Sequence, residues 1–71
     1  MMNQTLGSRI AELRRKKNMT QEELAAELGV TPQAVSKWES GASDPSTSNL
    51  LALAKLYGVS AEDLLREAAG G

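Results

Sequence analysis

Apolar residues recur at helical spacing along most of the chain and are separated by short polar or glycine-containing stretches. Leu6, Ile10 and Leu13 follow the i, i+4, i+7 spacing of one helix face and predict a first helix. Four further apolar groups follow, at Leu24-Ala25 with Leu28, at Val35 with Trp38, at Leu50-Leu53-Ala54-Tyr57 and at Leu64-Leu65. The pattern predicts a single all-α domain of five short helices.

Residues suited to helix ends stand between these apolar groups. Asn3 or Thr5 can begin the first helix, and Asn18 can end it in the left-handed conformation. Thr20 to Glu23 has the order of a capping box, in which a hydroxyl and a carboxylate bond each other's backbone N–H. Thr31-Pro32 places a capping residue before a proline at the first helical position. Gly29, Gly41 and Gly58 follow the second, third and fourth helices.

The apolar pattern sets the domain limits at residues 6–65 and leaves short tails at 1–5 and 66–71. The chain has 71 residues and neither cysteine nor histidine, which excludes zinc sites, iron–sulfur clusters, thiol nucleophiles and histidine bases. We therefore expect no enzyme, no cofactor and no metal. No apolar run approaches the roughly 18 to 20 residues that span a membrane, and the absence of cysteine fits the cytoplasm.

The net charge of −1 hides an uneven distribution along the chain. Residues 1–20 carry five basic residues against one acidic residue, whereas residues 21–71 carry three basic against eight acidic. The segments therefore have net charges of +4 and −5. The basic run at the end of the first helix fits two interpretations, a solvated helix end that complements the helix dipole or a surface that faces phosphates.

The order of residues between Arg9 and Leu65 carries a family resemblance. Its characteristic positions are Arg9-Ile10, Leu13-Arg14, Met19 to Ala25, Leu28 to Thr31, Val35 to Gly41, Pro45, Leu50, Leu53-Ala54, Gly58 to Ser60 and Leu64-Leu65. In this order and spacing the chain resembles the Cro/CI-type (XRE family) helix-turn-helix transcriptional regulators of phages and bacteria. The resemblance implies a five-helix, lambda-repressor-like DNA-binding domain, with the helix-turn-helix motif at about residues 20–40.

The resemblance also implies which residues contact the expected partner, double-stranded DNA. The third helix of such a domain enters the major groove while the second crosses the phosphate backbone. The implied base-reading residues are Thr31, Gln33, Ala34, Ser36 and Lys37, and the implied phosphate contacts are Thr20, Gln21, Arg14 and Ser40. Gln33 leads this set, since a glutamine amide can bond adenine N7 and N6 together. Taken without the resemblance, the favoured interpretation of Gln33 is an ordinary polar surface residue.

Arg14 and Glu39 occupy positions that in this family form a partly buried ion pair between the first and third helices. Arg14 also lies at the edge of the first apolar stripe, which independently places it near the core boundary. Trp38 follows Val35 by three residues on the inward face and is predicted to be core rather than a base-stacking aromatic. Asp44 departs from the family, whose members often carry a basic residue in this loop. We therefore expect weak binding by one copy and useful affinity for a homodimer on paired half-sites.

Two further hypotheses remain at this level. The first concerns self-association through Leu56, which is predicted to lie off the apolar face of the fourth helix. The second is a protein-interaction module of antitoxin or coactivator type, with DNA contact secondary, which the neutral-to-acidic balance supports. An enzyme would need a carboxylate pair such as Glu22 and Glu23, but adjacent helix positions do not converge on one substrate.

Overall fold

Five helices make up the part of the chain that the structure describes. The structure, a computed structural model, describes the backbone of residues 5–70 and the side chains of residues 5–65. The helices are α1 (Leu6–Lys16), α2 (Gln21–Leu28), α3 (Pro32–Ser40), α4 (Thr47–Tyr57) and α5 (Ala61–Gly70). No strand occurs among these residues, so the predicted all-α class is confirmed. The domain limits of 6–65 stay a prediction, since α5 continues to Gly70.

Each helix begins after a threonine or serine whose hydroxyl oxygen accepts a backbone N–H three residues later. These residues are Thr5, Thr20, Thr31, Ser46 and Ser60, and their N···O distances lie between 2.9 and 3.2 Å. Thr5 is thus the cap of α1, while the alternative, Asn3, lies outside the described residues. The residues predicted to end the helices, Asn18, Gly29, Gly41 and Gly58, all adopt positive φ. Local chemistry therefore places the helix ends as the sequence predicts.

The core draws one completely buried side chain from every helix. Ile10, Leu24, Val35, Leu53 and Leu64 each have 0% exposed surface and belong to one cluster. Trp38 is 5% exposed and joins the same cluster, which confirms its prediction as core. The third helix is therefore fixed to the domain by Val35 and Trp38.

Leu56 does not lie outside the packed side of α4 as predicted, while self-association through it stays a prediction. Leu56 is half-buried and packs against the core, and it borders a shallow depression beside Leu28 at the end of α2. The apolar face of α4 considered alone leaves Leu56 outside, but α2 packs on α4 and covers that side. The large apolar side chains that are exposed among the described residues are Leu51 and Leu65.

Candidate nucleic-acid interface

A three-residue turn joins α2 to α3 and determines how the third helix leaves the second. Gly29 takes the left-handed conformation at φ 72°, and the backbone N–H of Val30 donates to the carbonyl of Ala25 at 3.0 Å. Ala25 is 1% exposed, since α3 packs directly on this part of α2. Glycine serves this turn because an L side chain at positive φ is strained.

The outward face of α3 carries polar side chains. Gln33, Ser36 and Lys37 are all exposed, and their spacing of three and four residues puts them on one face of the helix. We call these three residues the outward face of α3. Thr31 is exposed as well, and its hydroxyl oxygen caps the helix by accepting from the N–H of Ala34 at 3.1 Å. Ala34 differs from the others, because it is half-buried and packs partly against the core.

The opposite side of α3 ends in a partly buried polar network around Glu39. One carboxylate oxygen, Oε2, accepts from Arg14 Nε at 2.7 Å. The other, Oε1, accepts from Arg14 Nη2 at 3.2 Å and from Gln21 Nε2 at 2.9 Å. The Arg14 and Glu39 side chains are only 14% and 8% exposed. This network joins α1, the start of α2 and the end of α3 in one place.

Arg14 reaches a third acceptor, which ties α1 to the chain segment before α2. Its Nη1 donates to the backbone carbonyl of Met19 at 2.8 Å. The hydrogen bonds to Glu39, opposed in part by desolvation, raise the pKa of Arg14, so the guanidinium stays charged at every pH at which the domain folds. Three of the five guanidinium N–H groups are engaged in this way. The other two N–H groups take no part in these hydrogen bonds.

The beginning of α2 presents backbone donors beside this network. The Thr20 N–H donates to the Glu23 carboxylate at 2.8 Å, and the Thr20 hydroxyl accepts from the Glu23 N–H at 3.0 Å. Both capping groups of Thr20 are therefore occupied. The N–H groups of Gln21 and Glu22 open the helix and have no carbonyl one turn earlier. They lie in a shallow depression that also includes Arg14 and Pro32.

Ser40, the remaining residue expected at phosphate, turns back onto its own helix. Its hydroxyl donates to the carbonyl of Lys37 at 3.2 Å and accepts from the N–H of Ala42 at 3.4 Å. The N–H groups of Ala42 and Ser43 also donate to the Lys37 carbonyl, at 2.9 and 3.3 Å. Ser40 therefore stabilises the end of α3, and a contact with phosphate would require this hydroxyl to turn away.

The sequence did not predict one contact of Gln21 or the participation of Met19 in the site. Gln21 was expected only as a phosphate ligand, yet its side-chain amide donates to Glu39, eighteen residues later. Met19 supplies its carbonyl to Arg14, and its sulfur accepts from the hydroxyl of buried Tyr57 at 3.9 Å. A polar residue after a helix cap carries no local sign of such a distant partner, so neither contact can be predicted from the local sequence.

The described residues contain neither a helix long and apolar enough to cross a membrane nor a group of three or more acidic, histidine or cysteine residues able to hold a metal. The short turn between α2 and α3, the exposed polar side chains of α3 and the polar network behind it are the features of a helix-turn-helix domain. A profile of the Helix-turn-helix family matches residues 10–64. The chain belongs to the Cro/CI-type helix-turn-helix family.

One similar protein is the HTH-type transcriptional activator BcrR of Enterococcus faecalis, which is 42% identical over 57 residues. The match covers 80% of this chain and 28% of BcrR. Repressor protein C2 of Salmonella phage P22 is 38% identical over 66 residues, which cover 93% of this chain and 31% of the repressor. The chain thus spans about a third or less of the length of these two relatives.

Solved structures agree with the sequence comparisons. The P22 c2 repressor in complex with a synthetic operator matches with a TM-score of 0.85 and 38% identity, over 90% of this chain and 97% of that one. SinR, the master regulator for biofilm formation, in complex with DNA matches with a TM-score of 0.78 and 31% identity, over 86% of this chain and 98% of the other. These similarities favour the DNA-binding hypothesis over the protein-interaction module.

Proposed function

We propose that this chain binds double-stranded DNA sequence-specifically through α3 in the major groove and thereby regulates transcription. One observation carries the proposal. The outward face of α3 is exposed and polar, while Val35, Trp38 and Glu39 hold the same helix from behind. A rigid helix with free amide, hydroxyl and ammonium groups is suited to read base edges in a groove about 12 Å wide. The similarity to two repressor-type domains whose structures include DNA supports this assignment.

The contacts divide into base reading and positioning. In this proposal Gln33 bonds an adenine through its amide, and Ser36 and Lys37 contact the following bases or a phosphate. Thr31 and Ala34 offer methyl groups to thymine, with Ala34 in the smaller role because it is half-buried. The phosphate backbone is held by the N–H groups at the start of α2 and by the two remaining donors of Arg14.

The charge of the domain indicates how it binds. Lys37 is the only basic residue of α3, and Asp44 stands in the exposed loop that follows. Few phosphates are therefore neutralised by each copy, which keeps non-specific affinity low and makes its salt dependence shallow, at about −0.9 per phosphate. We propose a homodimer on two half-sites about 34 Å apart, or a multiple of this spacing, since two copies then add their base contacts.

We also propose that the chain acts in the cytoplasm as a repressor. An operator-bound domain excludes other proteins from the DNA that it covers and needs no further surface to do so. The relatives include a named activator as well as a named repressor, so a promoter–reporter assay decides the direction of regulation. A fall in reporter expression on production of this chain is expected, and a rise would contradict repression.

Selection of bound sequences from random duplex DNA tests the proposed function. We expect the wild-type chain to enrich a palindrome, and Gln33→Ala to enrich the same palindrome with one position relaxed. Loss of a bidentate amide contact reduces discrimination at that position by about 1–3 kcal/mol. Because Gln33 is exposed, the free energy of unfolding of Gln33→Ala should differ from that of the wild type by no more than about 0.5 kcal/mol. Failure to enrich any sequence at low salt would refute DNA recognition by this chain.

A further inference from the structure

Gly7, the second residue of α1, lies directly against the backbone of the last turn of α3. A methyl group on its Cα would lie 2.2 Å from the carbonyl oxygen of Trp38. It would also lie 2.7 Å from the carbonyl oxygen of Glu39 and 2.9 Å from the carbonyl carbon of Glu39, whereas ordinary contact begins at about 3.4 Å. All three obstacles are backbone atoms, so no side-chain rotation relieves the clash.

Gly7 is required for space and not for conformation. It is buried within a regular helix, and its φ is not among the positive values found at Gly29, Gly41 and Gly58. Those three glycines have nothing within 4 Å of the position where a side chain would begin. The two kinds of glycine therefore respond to alanine for different physical reasons, steric contact at Gly7 and backbone strain at the others.

Gly7 and Arg14 hold the same residue of α3 from two directions. They are seven residues apart on α1, so they share one face of the helix. The backbone carbonyl of Glu39 packs against Gly7, and Arg14 donates two hydrogen bonds to the Glu39 carboxylate. The close approach at Gly7 brings the last turn of α3 to the depth at which that carboxylate also reaches Gln21.

We propose that Gly7 is a positioning residue for DNA recognition, since its missing side chain lets α1 fix the depth and direction of α3 through Glu39. Alanine at position 7 forces the two helices apart by more than an ångström, the difference between 2.2 Å and 3.4 Å. Hydrogen bonds to base edges do not survive displacements of this size without rearrangement. Gly7 itself touches no base in this scheme. The part of the inference that concerns DNA rests on the proposed function.

The first test needs no DNA and uses the sign of a stability change. Replacing glycine by alanine inside a helix normally stabilises the folded state. We expect Gly7→Ala to lower the melting temperature instead. Gly58→Ala, at the end of α4, is the control, because it is destabilised through positive φ with no steric contact near Glu39. An unchanged or raised melting temperature for Gly7→Ala would overturn the inference.

A double-mutant cycle then asks whether Gly7 acts through Glu39. In the wild type and in Gly58→Ala, Glu39→Gln is expected to raise the unfolding equilibrium constant about tenfold. In Gly7→Ala the same change should raise it less than about threefold, since the displaced turn has already weakened the network. Equal effects in all three backgrounds would show that Gly7 does not position Glu39. Thermal unfolding is measured in trimethylamine N-oxide where needed, because this osmolyte keeps variants of low stability folded.

The second test compares binding to the duplex selected by the wild type with binding to a shuffled duplex. The ratio of the affinities for the selected and the shuffled duplex is measured at a temperature where circular dichroism shows equal folded fractions. We expect this ratio to be about tenfold lower for Gly7→Ala than for the wild type. Gly58→Ala should stay within about threefold of wild type. An unchanged ratio for Gly7→Ala, or a chain that stays unfolded even with the osmolyte, would overturn the inference. If the wild type selects no duplex, the proposed function fails, while the cycle with Glu39 still decides the role of Gly7.

Discussion

The two sides of α3 differ in what they contact, although they alternate along the same nine residues. On the inward side Val35 and Trp38 are 0% and 5% exposed, and the Glu39 carboxylate accepts three hydrogen bonds. On the outward side Gln33, Ser36 and Lys37 are exposed. The inward residues fix the helix in the domain, and the outward residues are available to a partner.

Stability and DNA recognition are therefore expected to depend on separate residues of one short helix. Substitutions on the inward side should change the free energy of unfolding first and DNA binding only as a consequence. Substitutions on the outward side should change DNA binding while the domain melts as before. Gly7 is expected to affect both stability and DNA binding, since it acts from α1 on the backbone of α3, which carries both sides.

The largest expected effect comes from removing the indole on the inward side. Trp38→Ala leaves a cavity among Ile10, Leu24 and the other core residues and should cost about 3–5 kcal/mol of unfolding free energy. Small domains have little more stability than this, so the variant should be largely unfolded at room temperature. Urea denaturation followed by circular dichroism measures the change. Lys37→Ala, the exposed neighbour, should change stability by about 0.5 kcal/mol or less, and equal losses in the two variants would refute the separation.

The second effect concerns the ion pair behind α3. Glu39→Ala leaves the Arg14 guanidinium, which is 14% exposed, without its carboxylate partner and should cost about 3 kcal/mol. The double change Arg14→Met with Glu39→Leu should cost less than Glu39→Ala alone, since no charge then remains buried. Thermal melting of Arg14→Met, Glu39→Leu and the double variant measures the coupling. Additive effects would show that the pair contributes nothing beyond its separate side chains.

The sequence predicts the helix ends better than the contacts between helices, and the reason is distance along the chain. The caps at Thr5, Thr20 and Thr31 depend on a hydroxyl and an N–H three residues away, so both partners are visible in one short segment. The error at Leu56 arose because the face of α4 was judged without α2, which covers it.

The candidate site shows the same dependence. The residues alone placed Arg14 only near the core boundary, and its pairing with Glu39, twenty-five residues away, was implied by the family resemblance. The bond from Gln21 to Glu39 and the close approach at Gly7 arise where α1, α2 and α3 meet, and no local pattern in the sequence predicts these contacts. Glycine is a poor helix former, so its presence within α1 is unusual, but this local signal does not reveal which backbone lies against it.

A smaller effect is expected on the outward side. Lys37→Gln removes the only basic side chain of α3 and should reduce the slope of log affinity against log salt by about 0.9, one phosphate contact. Titration of the selected duplex over a range of salt concentrations measures the slope. Lys55→Gln, at an exposed position of α4, is the matched control and should leave the slope unchanged. Equal slopes for the wild type and Lys37→Gln would mean that Lys37 neutralises no phosphate.

The smallest effect is a pH dependence of the core that packs behind α3, to which Tyr57 of α4 belongs. Burial raises the pKa of Tyr57 above its ordinary value of 10.0, with Arg14 lowering it and Glu39 raising it to lesser degrees. Since the folded-state pKa exceeds the unfolded-state pKa, the protonated phenol favours folding. Its contribution is complete below the unfolded value and is lost as pH rises through the folded value. Tyr57→Phe should therefore lose less stability than the wild type between neutral pH and about pH 11, which urea denaturation at each pH measures. Parallel losses would mean that burial of the phenol does not cause the alkaline destabilisation.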